Sequence, residues 1–288
     1  FAEGLKKMHD DHERSKKKPF SWRNFLSSCL LCVAIAALFY PLLANYLASQ
    51  QTVTVVEKFI ENNEKLSTEE RDRLLASARQ YNEYLFAMNQ QKEYPGEVPK
   101  YEDILTLDDA GMMGYLYIPQ IDLQSLPIYH GVEDEELDAG IGHIPQTSFP
   151  IGGENTHAVL SAHSGRANNT LFSNLEKLER EDVFYIDVID ERLKYKIMDI
   201  RVIEPDEVDS LSIQSGKDLV TLVTCYPIGI NSHRLLVTGE RMAYEEDTPT
   251  ETIKRNQYGY DFWVLLGASI IALLAAVYLI YKRIKRKG

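Results

Sequence analysis

The sequence predicts a mainly β domain outside the cell, preceded by a helical region and flanked by two transmembrane helices. Residues 25–47 and 262–281 contain no charged side chain, and each is long enough to cross a bilayer core of about 30 Å as a helix. Between them, residues 50–90 show the apolar spacing of amphipathic helices. From Met112 to Met242 the pattern changes to short runs rich in Tyr, Ile, Leu and Val, with turn signals between them. Such a series of strands is typical of a β-barrel or a β-sandwich.

Basic residues outside the two apolar segments predict the orientation of the chain. They precede the first segment and follow the second: Lys6, Lys7, Arg14, Lys16, Lys17, Lys18 and Arg23, then Lys282, Arg283, Lys285, Arg286 and Lys287. Because positive flanks stay in the cytoplasm, residues 48–261 are expected outside, in a two-pass protein of the cell membrane with both termini cytoplasmic. If the first segment is instead a cleaved signal peptide, the C-terminal span alone anchors the same external domain.

Charge and residue spacing argue against several kinds of partner. The chain has a formal net charge of −12, so a nucleic-acid partner is not expected. The histidines are scattered and lack the spacing of a zinc site. The acidic run from Glu133 to Glu136 is interpreted as a solvated helix N-terminus rather than as a calcium site. We therefore expect no metal and no cofactor.

The region before the β domain is predicted to be a helical stalk that packs on the domain and carries no chemistry. Ser67 and Glu70 have the spacing of a capping box, which predicts the start of the second helix. Residues 91–109 contain two prolines and a glycine without a clear period, which indicates a connector or a loop over the domain.

The β region contains strand candidates and only short helices. Two strands within residues 183–205 are joined by a turn near Asp190 and Glu191, and short helices are expected around 134–142 and 170–180. The predicted organisation along the chain is a cytoplasmic basic tail at 1–24, a transmembrane helix at 25–47, a helical stalk and connector at 48–109, the β domain at 110–242, a polar tether at 243–261, a transmembrane helix at 262–281 and a basic tail at 282–288.

Cys225 stands alone in the predicted external region, because Cys29 and Cys32 fall inside the first apolar segment. These two are interpreted as buried apolar packing, with lipidation as the alternative. A cysteine without a disulfide partner is a free thiol, and at the end of a strand it is a candidate nucleophile. The alternative is a buried structural cysteine.

A nucleophilic thiol needs a proton donor or base and a group that holds an oxyanion. Spacing does not select among the five histidines of the external region, which are His130, His143, His157, His163 and His233. His163 ends a strand-like run just before a turn, where a side chain can project into a cleft. Arg234 begins the strand after the Cys225 loop, so the guanidinium comes close to the thiol if the two strands are neighbours. The alternatives are a surface histidine and an arginine that serves only in an ion pair.

The segment around this cysteine resembles a known family. TLVTC at 221–225, with Arg234 nine residues after the cysteine, resembles the TLxTC signature of sortases, the cysteine transpeptidases of Gram-positive cell surfaces. THAVLSAHSG at 156–165 is similar to the histidine segment of that family. The wider stretch TLVTCYPIGINSHRLLVTGER is close to the pattern of class C, the pilin-polymerising group. The resemblance covers about residues 110–242 and implies a closed eight-stranded β-barrel with short helices.

The function implied by this resemblance is acyl transfer on an LPxTG-like sorting signal. Cys225 is then the nucleophile, His163 the general acid/base, and Arg234 the group that holds the oxyanion or the substrate. The thiol cleaves between Thr and Gly, and a lysine amine of another pilin resolves the thioacyl intermediate into an isopeptide bond during pilus assembly. The alternatives are a sortase that anchors surface proteins to cell-wall peptidoglycan, a non-catalytic membrane scaffold for pilins, and a hydrolytic cysteine protease.

One departure from class C concerns the lid. Class C enzymes commonly cover the site with a lid that carries an Asp-Pro-aromatic motif, and no such tripeptide occurs at residues 48–111. The nearest candidate, Tyr94-Pro95-Gly96, lacks the aspartate. We therefore expect a short lid or none, a more open site and a thiol more exposed to oxidation.

Overall fold

The computed structural model describes residues 22–107, 111–166, 170–207, 211–244, 267–272 and 275. The chain divides into two compact units, Phe1–Tyr40 and Pro41–Gly288, and apart from the first part of helix α1 (Trp22–Glu64) the fold described below is that of the second unit. The described residues, which include the predicted span at 25–47, contain no helix that is both long and apolar enough to cross a membrane. Most of the predicted span at 262–281, and nearly all of the predicted tether and basic tails, lie outside the described residues.

Two long helices precede the barrel. Helix α1 runs Trp22–Glu64 and helix α2 runs Thr68–Asn89. The capping box expected from the sequence is present, because Glu70 N donates to Ser67 Oγ at 3.2 Å and Ser67 N donates to Glu70 Oε2 at 2.9 Å. These reciprocal bonds satisfy N–H groups that the first turn of a helix otherwise leaves unpaired. They explain why α2 begins at Thr68.

A buried amide fixes helix α2 to the barrel. The side chain of Asn82 donates from Nδ2 to Phe149 O at 3.1 Å and accepts at Oδ1 from Phe149 N at 2.7 Å. The two bonds give the backbone of Phe149 the partners that a neighbouring strand would supply. Tyr81 of the same helix packs edge-on against the ring of Phe149, with centroids 5.3 Å apart. The helical region therefore packs against the barrel.

Eight strands within the described residues form a closed barrel, which confirms the barrel fold expected for this region. They are β1 Met112–Ile118, β2 Leu123–His130, β3 Ile141–His143, β4 Thr156–Ser161, β5 Val183–Val188, β6 Glu191–Ile203, β7 Asp218–Tyr226 and β8 His233–Met242. Their order around the barrel is β1-β2-β3-β4-β7-β8-β6-β5, and β5 pairs with β1 to close it. The β2–β3 and β4–β7 pairs are parallel and the others antiparallel.

The described helices that follow α2 in this unit are short. Helix α3, Asp134–Ala139, lies in the connection between β2 and β3, and three 3-10 helices cover Tyr101–Asp103, Pro119–Ile121 and Leu175–Lys177. The turn predicted near Asp190 joins β5 to β6. These connections leave the ends of the barrel to be shaped by loops.

Aromatic side chains fill part of the barrel interior. Phe184 of β5 stacks on Tyr195 of β6 with ring centroids 5.4 Å apart, and both are fully buried. Gly239 of β8 makes room for this pair, because a Cβ at that position would lie 2.5 Å from Cε1 of Phe184. Dense packing of this kind holds the strands, and therefore their ends, in a fixed arrangement.

Three strand ends meet at one end of the barrel. Because β4 and β7 are parallel, their C-terminal ends lie on the same side, where Ser161 pairs with Val223. Because β8 is antiparallel to β7, it begins at that side. The three residues predicted to carry the chemistry all belong to these ends.

Candidate active site

Cys225 and Arg234 are direct cross-strand neighbours. Near the end of β7 and the start of β8, the antiparallel register pairs Cys225 with Arg234 and Tyr226 with His233. Opposite residues of such a pair point to the same face of the sheet, with Cβ atoms about 4.5–5.5 Å apart. Both side chains are partly buried. The spacing seen in the sequence therefore sets Cys225 and Arg234 opposite each other on neighbouring strands.

His163 comes just after the end of the neighbouring strand β4, with its backbone at the level of Cys225. The parallel β4–β7 pairing continues past the end of β4, since Thr224 Oγ1 donates to Ala162 O at 2.7 Å and Ser164 Oγ donates to Cys225 O at 2.7 Å. His163 is the residue between these two contacts. Hydrogen bonds on both of its sides tie its backbone to β7 at the level of the cysteine.

The loop between β7 and β8 orients Arg234. Its Nη1 donates to Asn231 O at 3.3 Å and to His233 O at 3.0 Å. A guanidinium carries five N–H donors in a planar fork, so two bonds from one nitrogen orient the group without using all of them. The same loop packs on the turn after His163, where Gly165 has a φ of +72° and a Cβ would lie 2.5 Å from Cγ2 of Ile228. Both the backbone conformation and the close contact require glycine there.

The imidazole of His163 lies between an aspartate and an arginine. Its Nε2 is 2.8 Å from Nη2 of Arg166 and 3.7 Å from Oδ1 of Asp138. The same arginine places Nη1 at 2.6 Å from Oδ1 of Asp138. Helix α3 supplies the aspartate, and the turn after β4 supplies both the histidine and the arginine.

The pKa of His163 lies below its ordinary value. Partial burial is the main cause, because dehydration disfavours the charged imidazole. The positive charge of Arg166 lowers the pKa further, whereas Asp138 and Asp134 act to raise it. The neutral imidazole, which can accept a proton from a thiol, is therefore favoured at neutral pH.

Two other histidines of this region are buried parts of the core. Nδ1 of His143 is 2.9 Å from the hydroxyl of Tyr101, its Nε2 is 2.9 Å from Ser148 O, and burial lowers its pKa to about 4. His157 is also buried, with Nε2 at 2.7 Å from Oγ1 of Thr221. Their ring nitrogens are engaged within the barrel wall, so these side chains stabilise the fold.

The remaining two histidines also face other groups. The ring nitrogens of His130 contact two backbone carbonyl groups. His233 places Nε2 at 3.3 Å from Oε1 of Glu204, and its cross-strand partner is Tyr226. His163 is therefore the histidine whose backbone follows β4 to the level of Cys225 on β7, a distinction that spacing in the sequence does not make.

Sequence reasoning did not identify Asp138 or Arg166 as members of this site. Asp138 lies two residues after the acidic run interpreted as a solvated helix start, and Arg166 follows His163 by three residues in a turn. The only sequence feature that could have indicated Arg166 is its position three residues after His163. Nothing local indicates that α3 reaches the turn after β4, because that contact depends on how the sheet closes.

The connector at residues 91–107 is held against α2 and the barrel wall. Tyr94 packs edge-on against Tyr84 of α2 with centroids 5.7 Å apart. The hydroxyl of Tyr101 accepts from Gly131 N at 3.0 Å and lies against His143. The expectation of a short or absent lid over the cysteine stays a prediction.

The arrangement suits acyl transfer. A thiol, an imidazole and a guanidinium supply a nucleophile, a proton acceptor and donor, and a set of N–H groups for an oxyanion. In the part of the chain that the structure describes, no group of three or more His, Cys, Asp and Glu side chains is placed to hold a metal ion.

Comparison with known proteins identifies similar chains. A family model described as Sortase domain matches residues 116–242. Sortase D of Bacillus subtilis (strain 168) is 30% identical over 132 residues, which are 45% of this chain and 63% of that protein. This chain thus matches less than two thirds of that relative.

Two solved structures align over almost their whole length. Sortase C of Clostridium perfringens with the C-terminal cell wall sorting motif is 43% identical, covers 67% of this chain and 100% of its own, and has a TM-score of 0.59. Sortase C1 of Streptococcus agalactiae is 34% identical, covers 67% of this chain and 100% of its own, and has a TM-score of 0.61.

Proposed function

The chain belongs to the sortase family, and we propose that it is a cysteine transpeptidase with Cys225 as nucleophile, His163 as general acid and base, and Arg234 as oxyanion holder. The observation that carries this proposal is the register of three adjacent strand ends. The β4–β7 pairing brings His163 to the level of Cys225, and the β7–β8 pairing sets Arg234 opposite it. Of the other histidines on the neighbouring strands β4 and β8, His157 pairs with Leu219 and His233 pairs with Tyr226.

The first half of the proposed reaction forms a thioester. The proton of the Cys225 thiol passes to His163, and the thiolate attacks the carbonyl carbon of the Thr–Gly bond in a sorting signal. Arg234 donates N–H groups to the oxyanion of the tetrahedral intermediate. The C–N bond breaks, the protonated imidazole donates its proton to the departing glycine amine, and the acyl group stays on sulfur.

The second half transfers the acyl group to an amine. A lysine amine of another pilin subunit attacks the thioester carbonyl and gives its proton to the neutral imidazole. The C–S bond breaks, the thiolate is released, and an isopeptide bond joins the two subunits. The partners of the chain are therefore pilins that carry C-terminal sorting signals and a pilin lysine as acceptor.

Two kinds of similarity support this choice of substrate. The C. perfringens relative has been solved with a C-terminal cell wall sorting motif. The structural neighbours are sortases of class C, and the segment TLVTCYPIGINSHRLLVTGER is close to the class C pattern. We extend both features from those proteins to this chain.

Mixing the full chain with a pilin that carries a sorting signal tests the proposal. We expect a ladder of covalent oligomers on a denaturing gel, and a thioacyl adduct on Cys225 by mass spectrometry. Cys225→Ala is the loss-of-function variant, and circular dichroism checks that it is folded. A ladder that persists unchanged with Cys225→Ala would show that the catalytic assignment is wrong and would favour a non-catalytic scaffold.

The acceptor distinguishes the remaining alternatives. A pilin whose lysines are replaced by arginine should form no ladder. If it instead becomes attached to an added peptidoglycan stem peptide, the chain is an anchoring sortase. Steady release of free threonine carboxylate, with an amine acceptor present, would indicate a hydrolytic protease.

We also propose that the barrel lies outside the cell membrane with the basic flanks in the cytoplasm. The support is the distribution of Lys and Arg around the two uncharged segments of the sequence. A membrane-impermeant thiol reagent added to whole cells should label Cys225, with Cys225→Ala as the control. Labelling that appears only after lysis would contradict this location.

A further inference from the structure

The surroundings of His163 contain a second layer of polar contacts, formed by Asp138 and Arg166. The guanidinium of Arg166 contacts both other residues, with Nη2 at 2.8 Å from Nε2 of His163 and Nη1 at 2.6 Å from Oδ1 of Asp138. The same carboxylate oxygen is 3.7 Å from the imidazole Nε2. Nε2 therefore faces a donor and an acceptor at the same time.

The chemistry of arginine decides which form of the ring this geometry holds. A guanidinium donates N–H groups and has no acceptor. The contact between Arg166 and Nε2 is therefore a hydrogen bond only when Nε2 has no proton, which is the neutral imidazole with its proton on Nδ1. Two N–H groups would face each other if Nε2 were protonated.

Protonation must change the partner of Nε2. The imidazolium gains an N–H at Nε2, which repels the guanidinium and attracts the carboxylate of Asp138. We propose that Asp138 and Arg166 are positioning residues that clamp His163, Arg166 holding the neutral ring and Asp138 accepting from the protonated one. This inference rests on the proposed function, in which His163 cycles between these two forms.

The charges around the ring act in opposite directions. Helix α3 contributes Asp138 and Asp134, and the turn after β4 contributes Arg166; on the neighbouring strands lie the Cys225 thiol and the Arg234 guanidinium. Burial and Arg166 lower the pKa of the imidazole, whereas the two aspartates raise it. The clamp therefore balances the two protonation states of the general acid/base.

The charged side chains of the clamp are exposed enough to be replaced without unfolding the barrel. The side chain of Asp138 is 55% exposed and that of Arg166 is 35% exposed, against 25% for His163. Ion pairs this exposed contribute little to folding stability. Removing either charge should therefore leave the barrel folded and change the pKa of His163.

Two variants with opposite expected effects test the clamp. The pKa of His163 is measured in the full chain from the pH titration of its imidazole NMR signal, which is assigned by its absence in His163→Gln. Asp138→Asn should lower this pKa and Arg166→Gln should raise it, each by about half to one pH unit at low salt. Glu135→Gln removes the same charge from an exposed position of α3 and should cause no resolvable shift.

The pH profile of transpeptidation with a sorting-signal peptide should move in the same direction as each NMR titration. Shifts of the same sign in both variants, or shifts no larger than that of Glu135→Gln, would overturn the clamp. The NMR titration needs no turnover, so it stands apart from the proposed function. That function fails instead if Cys225→Ala retains activity.

Discussion

His143 allows a quantitative test of how the barrel responds to acid. It is fully buried, and both of its ring nitrogens have partners suited to the neutral form. Nε2 can donate to Ser148 O, while Nδ1 accepts from the hydroxyl of Tyr101. Burial depresses the pKa from an ordinary 6.5 to about 4. The folded state therefore resists a proton that the unfolded chain accepts readily.

The sign and the size of the effect follow from linkage. Between pH 6.5 and pH 4 the unfolded state binds a proton at His143 and the folded state largely does not, so stability falls as the pH falls. The difference between the two pKa values corresponds to a loss of about 3 kcal/mol in the free energy of unfolding. Above pH 6.5 the contribution of this histidine is constant.

Comparison with His143→Gln isolates this contribution. Glutamine keeps a donor for Ser148 O but does not titrate. Urea unfolding followed by circular dichroism at pH 7, 6, 5 and 4 measures both proteins. We expect the stability of the unmodified chain, relative to the variant, to fall by about 3 kcal/mol from pH 7 to pH 4. An equal pH dependence in the two proteins would refute the reasoning, and His157→Gln should retain the His143 contribution.

Three further changes probe the site and its supports. Arg234→Lys keeps the charge but loses the planar fork, and we expect kcat/KM for a sorting-signal peptide to fall about 10²–10³-fold, without loss of folding by circular dichroism. Gly165→Ala should destabilise the chain by about 1–3 kcal/mol in urea, from the left-handed backbone and the contact with Ile228; adding Ile228→Ala should recover only part of this loss. Thr224→Val removes the bond to Ala162 O and should cost about 1–2 kcal/mol in urea, whereas Thr224→Ser should restore most of it. An Arg234→Lys enzyme of normal activity, a neutral Gly165→Ala or an equal loss in both Thr224 variants would contradict the corresponding argument.

Much of the fold could be predicted from local sequence patterns. The capping box of Ser67 and Glu70, the strand runs and the turn near Asp190 involve residues close in the sequence, so the spacing of side chains predicts them. Local spacing does not predict the strand order β1-β2-β3-β4-β7-β8-β6-β5. Two of its pairings are parallel, and a parallel pair needs a long connection. The sequences of the two strands do not determine the path of that connection. The resemblance to a family supplied the closed barrel in advance.

The site residues also fall into those that local sequence predicts and those that only the tertiary structure brings together. Cys225 and Arg234 belong to one strand–loop–strand unit, so their proximity follows once both strands are recognised. His163 comes from a distant segment, and only the parallel register of β4 with β7 brings it to the cysteine. Local spacing therefore left five histidines equivalent, and the structure separates them by burial and by partners.

The sequence by itself determined a helical region followed by a β domain, a free thiol at Cys225 and a nearby arginine, because these depend on residue type and short-range spacing. Tertiary structure alone decided that His163 reaches the level of Cys225 and that Asp138 and Arg166 lie at its imidazole, which the proposed clamp requires. The clamp joins a helix between β2 and β3 to a turn after β4. Such contacts form only when the barrel closes, since closure sets which loops meet at each end.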